Sequence, residues 1–226
     1  MNLSAFVFYF HRLTGILPFF LKGTWMTVKV SFLALVFGTL LGAALGILRS
    51  SNRKIFTWPI GAYVDLFRGT PFVVQVFIIF FVLPDWGIQL NAFPAAVLAL
   101  TLEGAAFICE IVSGGIKAVP KGQWEAGISS GLTITQQLRH VIVPQAMPAI
   151  LPPLVGEYVL MIKDSSVVSI IGVTELTRVG WLTVTRIPEG LMVFTLVGVL
   201  YFVISYPLVR LSNALEQKVA AQGGLL

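Results

Sequence analysis

The residues of this chain best suited to hold a ligand are polar groups inside apolar sequence. Lys163-Asp164-Ser165-Ser166 places a cation, an anion and two hydroxyls side by side. A small molecule that carries both a carboxylate and an ammonium group needs donors and acceptors of both signs at short range. This stretch therefore favours noncovalent binding of a zwitterion. Further charges inside apolar runs are Arg68, Glu103, Glu110 and Glu157.

Gly69-Thr70-Pro71 is a second polar segment within an apolar run. It supplies a hydroxyl, and it predicts a helix irregularity that leaves backbone groups free. The charges also have a structural interpretation, because an ionised group near the centre of a bilayer costs about 2.5 to 3.5 kcal/mol. Each is then expected to face a partner helix or a watery cavity. Glu110 could pair with Arg68, and the two serines could form hydrogen bonds between helices.

The composition indicates which kind of structure holds these polar groups in place. Of the 226 residues, 57% are hydrophobic and 11% are charged, and the mean hydropathy is +0.90. The chain is therefore expected in a bilayer, with room for about five or six helices of roughly 20 residues. A soluble catalytic domain does not fit beside them. Cys109 is the only cysteine, so the chain can form neither an internal disulfide nor a cysteine-based metal site.

Apolar runs divide the chain into predicted membrane spans. Residues 3–20 are interrupted by His11, Arg12 and Pro18, which indicates an interfacial segment. A cleaved signal peptide, the rival interpretation, would carry basic residues before its apolar region. The predicted spans are 24–48, 63–83, 93–117, 148–172 and 190–209. The predicted domains are an outer-face interfacial segment at 1–22, a transmembrane domain at 23–212 with a polar loop at 121–145, and a cytoplasmic tail at 213–226.

Gly38, Gly42 and Gly46 recur every four residues in the first span. This spacing lines up a groove on one helix face, where a neighbouring helix can approach closely. The glycines are therefore predicted to be structural.

Basic residues orient the spans. The cytoplasmic side of a membrane protein carries an excess of Lys and Arg, and here the bias is about two to one. The predicted cytoplasmic set includes Arg49, Lys117, Lys121, Arg139, Arg210 and Lys218, and the outer set is Arg12, Lys22, Arg178 and Arg186. The N-terminus is therefore predicted outside, and the C-terminus and the polar loop inside.

The polar loop predicts two short helices that meet at a glycine. Helix formers occupy 123–130, Gly131 interrupts them, and Thr133 can cap a second helix over 135–143 that stops at Pro144. Such an elbow would project from the membrane as a compact knob. An amphipathic loop that lies on the bilayer is the plainer alternative.

The same loop resembles the cytoplasmic docking loop of bacterial ABC importer permeases. That pattern is Glu-Ala-Ala, then Gly after a short gap, then Ile, any residue and Leu-Pro after a longer one. The matching residues here are Glu125-Ala126-Gly127, Gly131 and Val141-Ile142-Val143-Pro144, so that Gly replaces Ala and Val replaces Ile and Leu. The resemblance implies contact with an ATPase through this loop, and the residues assigned to it are Glu125, Ala126, Gly127, Gly131, Arg139 and Pro144.

Further segments are similar to the polar amino acid permeases of ABC uptake systems. They are Arg68-Gly69-Thr70-Pro71 with Val74-Gln75, the run 119–126, Val143-Pro144-Gln145-Ala146 and Lys163-Asp164-Ser165-Ser166. The resemblance implies an all-α membrane protein, with the five-helix transmembrane domain of an ABC importer and cytoplasmic coupling helices. It also implies a second permease subunit, either a copy or a homologue, two ATPase subunits, and a periplasmic or surface-anchored amino acid-binding protein.

ATP hydrolysis is expected on a separate subunit. The chain has no Gly-rich loop that ends in Gly-Lys-Ser or Gly-Lys-Thr and could hold phosphates. We therefore expect a permease that is not an enzyme, with no cofactor, metal or nucleic acid of its own, and with ATP and Mg²⁺ on the partner ATPase. The expected location is the bacterial inner membrane, which the chain crosses several times.

In similar permeases the two polar segments, 163–166 and 69–71, lie close to the translocation path. Asp164 is predicted to meet the ammonium group of the substrate. Thr70, Ser165 and Ser166 are predicted to contact the substrate as well, and Glu103 is predicted to govern selectivity. The residues expected either to line the path or to form structural ion pairs are Arg68, Glu110 and Lys163.

Glu103 does not by itself identify which amino acid is carried. It could favour a cationic or amide side chain by direct pairing, yet similar glutamate and aspartate permeases can carry a carboxylate at this position too. Glu110 lies two helical turns away on roughly the same helix face, so both could face one cavity. The prediction stays at polar amino acids.

An ion- or proton-coupled secondary amino acid transporter is the main alternative, with Glu103, Glu110 and Lys163 as relay groups. Such transporters carry an internal repeat of spans, and none is evident in this sequence. An intramembrane enzyme would need a nucleophile or metal ligands at membrane depth, whereas His11 falls in the interfacial segment and His140 in the polar loop. A structural partner without a path of its own is the third alternative.

Overall fold

Every element in the part of the chain that the structure describes is helical. The structure is a computed structural model, and it describes residues 3–51, 53–186 and 189–223. The α-helices are α1 (Leu3–Arg49), α2 (Lys54–Gly69), α3 (Phe72–Phe77), α4 (Ala92–Ala118), α5 (Lys121–Ser129), α6 (Ile134–Gln137), α7 (Val143–Asp164), α8 (Leu176–Val184) and α9 (Gly190–Gly223). Two π-helical turns, Ile78–Val82 and Leu138–Ile142, and two 3-10 turns, Leu83–Trp86 and Val167–Ile171, join them. The prediction of an all-α protein is confirmed.

Three helices within the described ranges are long and apolar enough to cross a membrane by themselves. They are Gly15–Arg49 within α1, the whole of α4, and Gly190–Ala221 within α9. The predicted spans at 24–48, 93–117 and 190–209 all lie inside these helices.

The span predicted at 63–83 is broken into two helical pieces, the first of which begins earlier, at Lys54. The chain breaks after α2 and continues as Phe72–Trp86 at an angle of 107° to it. Thr70 and Pro71 are both extended, and a residue that precedes proline is sterically excluded from helical conformation. The two pieces together form one broken span or a re-entrant loop. The helix irregularity predicted at Gly69-Thr70-Pro71 is confirmed.

The span predicted at 148–172 corresponds to α7 and the 3-10 turn that follows it. α7 begins at Val143 and ends at Asp164. It carries Glu157, Lys163 and Asp164, and among the described helices it is not one of those long and apolar enough to cross a membrane by themselves. Five spans for the whole chain stay a prediction.

α1 and α4 pack along their length at the centre of the fold. A Cβ atom added to Gly42 would lie 2.7 Å from Cβ of Ile108, and one added to Gly46 would lie 2.7 Å from Cβ of Val112. Any side chain at these positions would push the helices apart, because such distances are far inside van der Waals contact. The structural role predicted from the glycine spacing is confirmed.

α7 packs against the same pair of helices. A Cβ atom on Gly104 of α4 would overlap the side chain of Met161, which is buried between the helices. The hydroxyls of Thr39 on α1 and Tyr158 on α7 share a hydrogen bond of 2.8 Å. These contacts fix the positions of the charged residues that α4 and α7 carry.

α8 is an element that the sequence analysis did not predict. Glu175, which is fully buried, caps its first turn by accepting hydrogen bonds from the backbone N–H groups of Thr177 at 2.8 Å and Arg178 at 2.7 Å. The hydroxyl of Tyr201 on α9 donates to the same carboxylate at 2.7 Å. The cap therefore also joins α8 to α9.

The predicted domain boundaries do not coincide with breaks in the helices. α1 runs without interruption from Leu3 to Arg49, across the boundary predicted at 22. α9 continues to Gly223, so the predicted tail at 213–226 is helical as far as the structure describes it. An interfacial location for the first turns of α1 stays a prediction.

Candidate functional site

α5 and α6 with the turn between them form a projection that we call the docking knob. α5 ends at Ser129, and Gly131, two residues later, has a φ of +73°, a conformation that residues with a Cβ atom rarely adopt. The N–H of Gly131 donates to the carbonyl of Ile128 at 2.9 Å, and the N–H of Leu132 donates to that of Gly127 at 3.1 Å. This pair of bonds is the Schellman arrangement, so the predicted interruption at Gly131 is confirmed and has a defined geometry.

Thr133 caps the second helix of the docking knob, as predicted. Its hydroxyl accepts from the N–H of Gln136 at 3.4 Å, and the side chain of Gln136 accepts from the N–H of Thr133 at 2.9 Å. This reciprocal pair is a capping box, which satisfies two backbone donors at once.

The predicted end of this helix at Pro144 is wrong. α6 continues through the π-helical turn Leu138–Ile142 into α7, and Pro144 occupies the first turn of α7. Proline lacks an N–H group and its ring crowds the carbonyl of the preceding turn, which a widened turn can accommodate. The docking knob therefore runs into α7 with no intervening loop.

Gly127 stands where the docking-loop pattern has alanine, and the structure gives a reason. A Cβ atom at this position would lie 2.9 Å from Cγ and 3.1 Å from Cδ of Gln137. Gln137 is itself buried and donates to the carbonyl of Leu132 at 3.0 Å. Glycine therefore leaves room for a glutamine that braces the turn.

The docking knob exposes both apolar and charged side chains. Ile128 and Ile134 are each 66% exposed. The polar residues Glu125 and Arg139 are exposed as well, as is Ala126. Exposed isoleucines beside charged groups are typical of a protein contact surface.

Glu110 lies at the centre of a partly exposed ion-pair cluster that joins α1, α2 and α4. Its carboxylate accepts a hydrogen bond from Arg49 and lies 3.5 Å from Nη1 of Arg68. The guanidinium of Arg68 also stacks over the ring of Phe107, 5.4 Å from its centre. The pair suggested for Arg68 and Glu110 is present, whereas the contact of Arg49 with Glu110 was not predicted, because Arg49 lies just beyond the predicted span at 24–48. Its position directly after an apolar run was the available signal.

A second cluster contains three carboxyl groups. Glu103 on α4 interacts electrostatically with Glu157 and Asp164 on α7. The structure therefore brings together two of the predicted substrate residues, Glu103 and Asp164, and adds Glu157, which is 8% exposed. Lys163 is exposed and acts electrostatically on Asp164.

Thr70 is already engaged within the break between α2 and α3. Its hydroxyl donates to the carbonyl of Leu66 at 2.8 Å and accepts from Nε2 of Gln75 at 3.1 Å. The same Nε2 donates to the carbonyl of Phe67 at 2.8 Å. Gln75 was not predicted as a functional residue, although its place shortly after a proline inside an apolar run was a signal.

The two predicted serines differ in their surroundings. Ser165 is fully buried and its hydroxyl donates to the carbonyl of Ile162 at 2.6 Å, whereas Ser166 is half-buried. The 3-10 turn Val167–Ile171 packs against α3. The elements that directly follow Thr70 and Asp164 in the chain are therefore in contact. Within the described ranges, no set of His, Cys, Asp and Glu side chains is arranged to hold a metal ion.

Comparison with known proteins identifies the family. A family model described as a binding-protein-dependent transport system inner membrane component matches residues 34–221. This chain belongs to that family. The permease is therefore a multi-pass inner-membrane protein of the ABC importer class.

The relatives of the permease are amino acid transporters. It is 34% identical over 203 residues to the L-cystine transport system permease protein TcyB of Bacillus subtilis (strain 168), covering 89% of the chain and 87% of the relative. It is 33% identical over 204 residues to the arginine transport system permease protein ArtQ of the same organism, covering 90% and 93%. A crystal structure of an amino acid ABC transporter with histidines has a TM-score of 0.81 and 33% identity, covering 96% of this chain and 99% of that one.

Proposed function

We propose that the permease is the membrane-spanning subunit of an ATP-driven importer that moves polar amino acids across the bacterial inner membrane. The observation that carries this proposal is the docking knob, which offers a separate ATPase a braced surface continuous with a helix of the bundle. In this proposal ATP and Mg²⁺ belong to the ATPase, and the permease holds no cofactor and catalyses no reaction.

The shape of the docking knob supports its role as the ATPase contact. Ile128 and Ile134 supply exposed apolar side chains, and Glu125 and Arg139 supply exposed charges. The side-chain amide of Gln145 on α7 donates to Gln123 on α5 at 3.0 Å and ties the knob to the membrane helix. A displacement of the docking knob would therefore also move α7.

The arrangement around the permease follows from charge and from family. The basic residues favour a cytoplasmic docking knob and C-terminus and an outer N-terminus. We propose a transmembrane domain of five helices over 23–212, preceded by an interfacial segment and followed by a cytoplasmic tail. The proposed partners are a second permease, two ATPase subunits and an external amino acid-binding protein.

The proposed substrate site lies around the acidic cluster of α4 and α7. Asp164 would receive the ammonium group of the amino acid, and Ser166 and Glu103 would contact its other groups. In this conformation the hydroxyls of Thr70 and Ser165 bond to backbone carbonyls. Their contact with substrate would require a different packing of the break and of the turn after α7.

The proposed mechanism is a switch between two packings of the bundle. ATP binding would close the two ATPases, draw the docking knobs together and tilt α7, which opens the site to the loaded binding protein. Hydrolysis would return the site to the cytoplasm. Such a switch requires that ATP and the binding protein each prefer the outward-facing packing.

Gly131→Leu tests the proposal at the docking knob. A leucine in the left-handed region costs about 1–2 kcal/mol, so the Schellman turn would rearrange and displace Ile134. We expect the variant to insert normally but to lose the stimulation of ATP hydrolysis by loaded binding protein. ATPase rates of the reconstituted complex in nanodiscs measure this.

Gly87→Leu is the matched control. Gly87 also has a positive φ, +83°, and lies in the turn after the 3-10 segment Leu83–Trp86, far along the chain from the docking knob. We expect this variant to keep its stimulated ATPase rate. Full stimulation in Gly131→Leu, or equal losses in both variants, would contradict the proposed coupling role.

A further inference from the structure

α7 and α9 leave a groove between them where α7 emerges from the docking knob. Its volume is about 270 Å³, far more than a single water molecule needs. The lining residues that matter most are Pro144, Pro148 and Leu151 on α7 and Leu215, Lys218 and Val219 on α9.

The groove has a closed end and an open end. The hydroxyl of Ser212 on α9 donates to the carbonyl of Pro152 on α7 at 3.2 Å, and both residues are buried. The α9 residues that line the groove follow Ser212, whereas the α7 residues precede Pro152, so the two helices are antiparallel here. From Pro152 to Pro144 the groove therefore extends about 12 Å along α7, from the packed bundle to the base of the docking knob.

Two backbone carbonyls in the groove lack the donor that an α-helix supplies. The carbonyl of each helical residue normally accepts from the N–H group four residues later. Four residues after Pro144 and Pro148 stand Pro148 and Pro152, which have no N–H group. Pro144 and Pro148 are both exposed and line the groove. Their carbonyls are therefore suited to accept hydrogen bonds from the hydroxyl groups of a ligand.

Lys218 gives the groove a positive charge. Among the described residues that line the groove it alone is charged, and it is exposed. Within the described ranges it has neither a hydrogen bond nor an ion pair. Glu216, the acidic residue closest to it in the sequence, lies 3.5 Å from the hydroxyl of Ser212 instead. The ammonium group is therefore available to an anion.

These features together specify an amphiphile. The cation calls for an anionic group, the two carbonyls call for hydroxyl donors, and the walls around Leu151, Leu215 and Val219 call for an apolar chain. A free phosphate would leave the apolar walls uncovered, and a lipid with a choline headgroup would bring no hydroxyl donor. In the proposed orientation this end of the bundle meets the cytoplasmic leaflet, whose surface carries anionic lipids.

We propose that the groove binds one phosphatidylglycerol molecule. Its phosphate lies at Lys218, the hydroxyls of its glycerol headgroup donate to the carbonyls of Pro144 and Pro148, and an acyl chain follows Leu151 towards Pro152. The site is distinct from the proposed substrate site near Asp164, because it lies at the opposite end of α7.

Photolabelling of the purified permease–ATPase complex tests this directly. The complex is reconstituted in phosphatidylcholine nanodiscs that contain a small share of phosphatidylglycerol with a diazirine on its acyl chain, and labelled peptides are identified by mass spectrometry. We expect labels on the groove residues of α7 and α9. Unlabelled phosphatidylglycerol should displace them, added phosphatidylcholine should be at least about fivefold less effective, and glycerol 3-phosphate should not compete. Equal displacement by phosphatidylcholine, displacement by glycerol 3-phosphate, or absence of labels from the groove would overturn the proposal.

Lys218→Gln removes the charge of the groove. We expect labelling of the groove to weaken by about fivefold, the effect of one lysine near an anionic lipid, and Lys218→Arg to retain it. Lys54→Gln is the matched control, since Lys54 is an exposed lysine at the start of α2 that does not line the groove. Unchanged labelling in Lys218→Gln, or an equal loss in Lys54→Gln, would reject the role of Lys218.

Val219→Trp fills the groove and keeps Lys218. We expect it to abolish labelling of the groove while the ATPase still copurifies, which shows that the variant is folded. Val203→Trp is the matched control, because Val203 is 61% exposed elsewhere on α9. Full labelling of the groove in Val219→Trp, or an equal loss in Val203→Trp, would contradict binding between α7 and α9.

Discussion

Gln75 shows how one side chain can complete the hydrogen bonding of a broken helix. The last carbonyls of an α-helix have no partners within the helix. Nε2 of Gln75, on α3, donates to the carbonyl of Phe67 and to the carbonyl and hydroxyl of Thr70, all at the end of α2. Gln75 is only 6% exposed, so these bonds are shielded from water. The angle between the two helices therefore depends on one amide.

Gln75→Leu should destabilise the permease because it leaves partly buried carbonyls without their side-chain donor. The expected loss is about 1–3 kcal/mol, seen as a lower Tm in thermal unfolding followed by tryptophan fluorescence. Gln89→Leu, an exposed glutamine on the loop before α4, is the control and should unfold like the wild type. Equal Tm values for Gln75→Leu and wild type would show that the amide does not hold the bend.

Residues whose partners could be named from the sequence are those with a complementary charge inside another apolar run. Arg68 and Glu110 are such a pair, since two opposite charges at membrane depth are expected to meet. Gln75 is neutral, and its amide forms hydrogen bonds with backbone carbonyls on the other side of the bend between α2 and α3. Its role therefore depends on a backbone geometry that residue types do not specify. Arg49 was missed for a related reason, because helix α1 extends further than its apolar run.

At the scale of elements, the crossing of α1 and α4 is determined by small residues. Gly42 lies against the backbone as well as the side chains of α4, and an added Cβ atom would be 2.8 Å from the carbonyl oxygen of Ala105. A backbone atom cannot rotate away as a side chain can. The distance between the two helices is therefore set by glycine, which agrees with the four-residue spacing in the sequence.

Gly42→Val should separate α1 from α4. Overpacking of a close contact costs about 1–3 kcal/mol or more, because the neighbouring backbone cannot yield. We expect a lower yield of monodisperse protein in size-exclusion chromatography and a lower Tm. Gly61→Val on α2 is the matched control, since a Cβ atom there would meet nothing within 4 Å. Equal behaviour of the two variants would contradict a glycine-defined crossing.

Local chemistry made parts of the docking knob predictable and left others out of reach. Gly131 and Thr133 act through hydrogen bonds within a few residues, so their types indicate their roles. Pro144 predicts a helix end, but proline is also favoured in the first turn of a helix, and here the π-helical turn before it leads directly into α7. The cap of α8 by Glu175 involves Tyr201 from a distant helix, which no local pattern contains.

At the scale of the whole molecule, the proposed ATPase contact and the proposed substrate site share one helix. The docking knob continues into α7 at Val143, and α7 carries Glu157 and ends at Asp164. A displacement of the docking knob would therefore reach the proposed substrate groups through a single element. The orientation and the partner subunits were inferred from charge bias and family resemblance, because the surfaces that decide them belong to other chains.

The central claim is that ATP hydrolysed on a separate subunit drives amino acid import through this permease. The most direct measurement is uptake of radiolabelled L-arginine and L-glutamine into proteoliposomes that contain the permease, its ATPase and its binding protein. The account predicts uptake that requires ATP and the binding protein and persists when proton and sodium gradients are collapsed. Uptake driven by an ion gradient in the absence of ATP would contradict it and favour a secondary transporter.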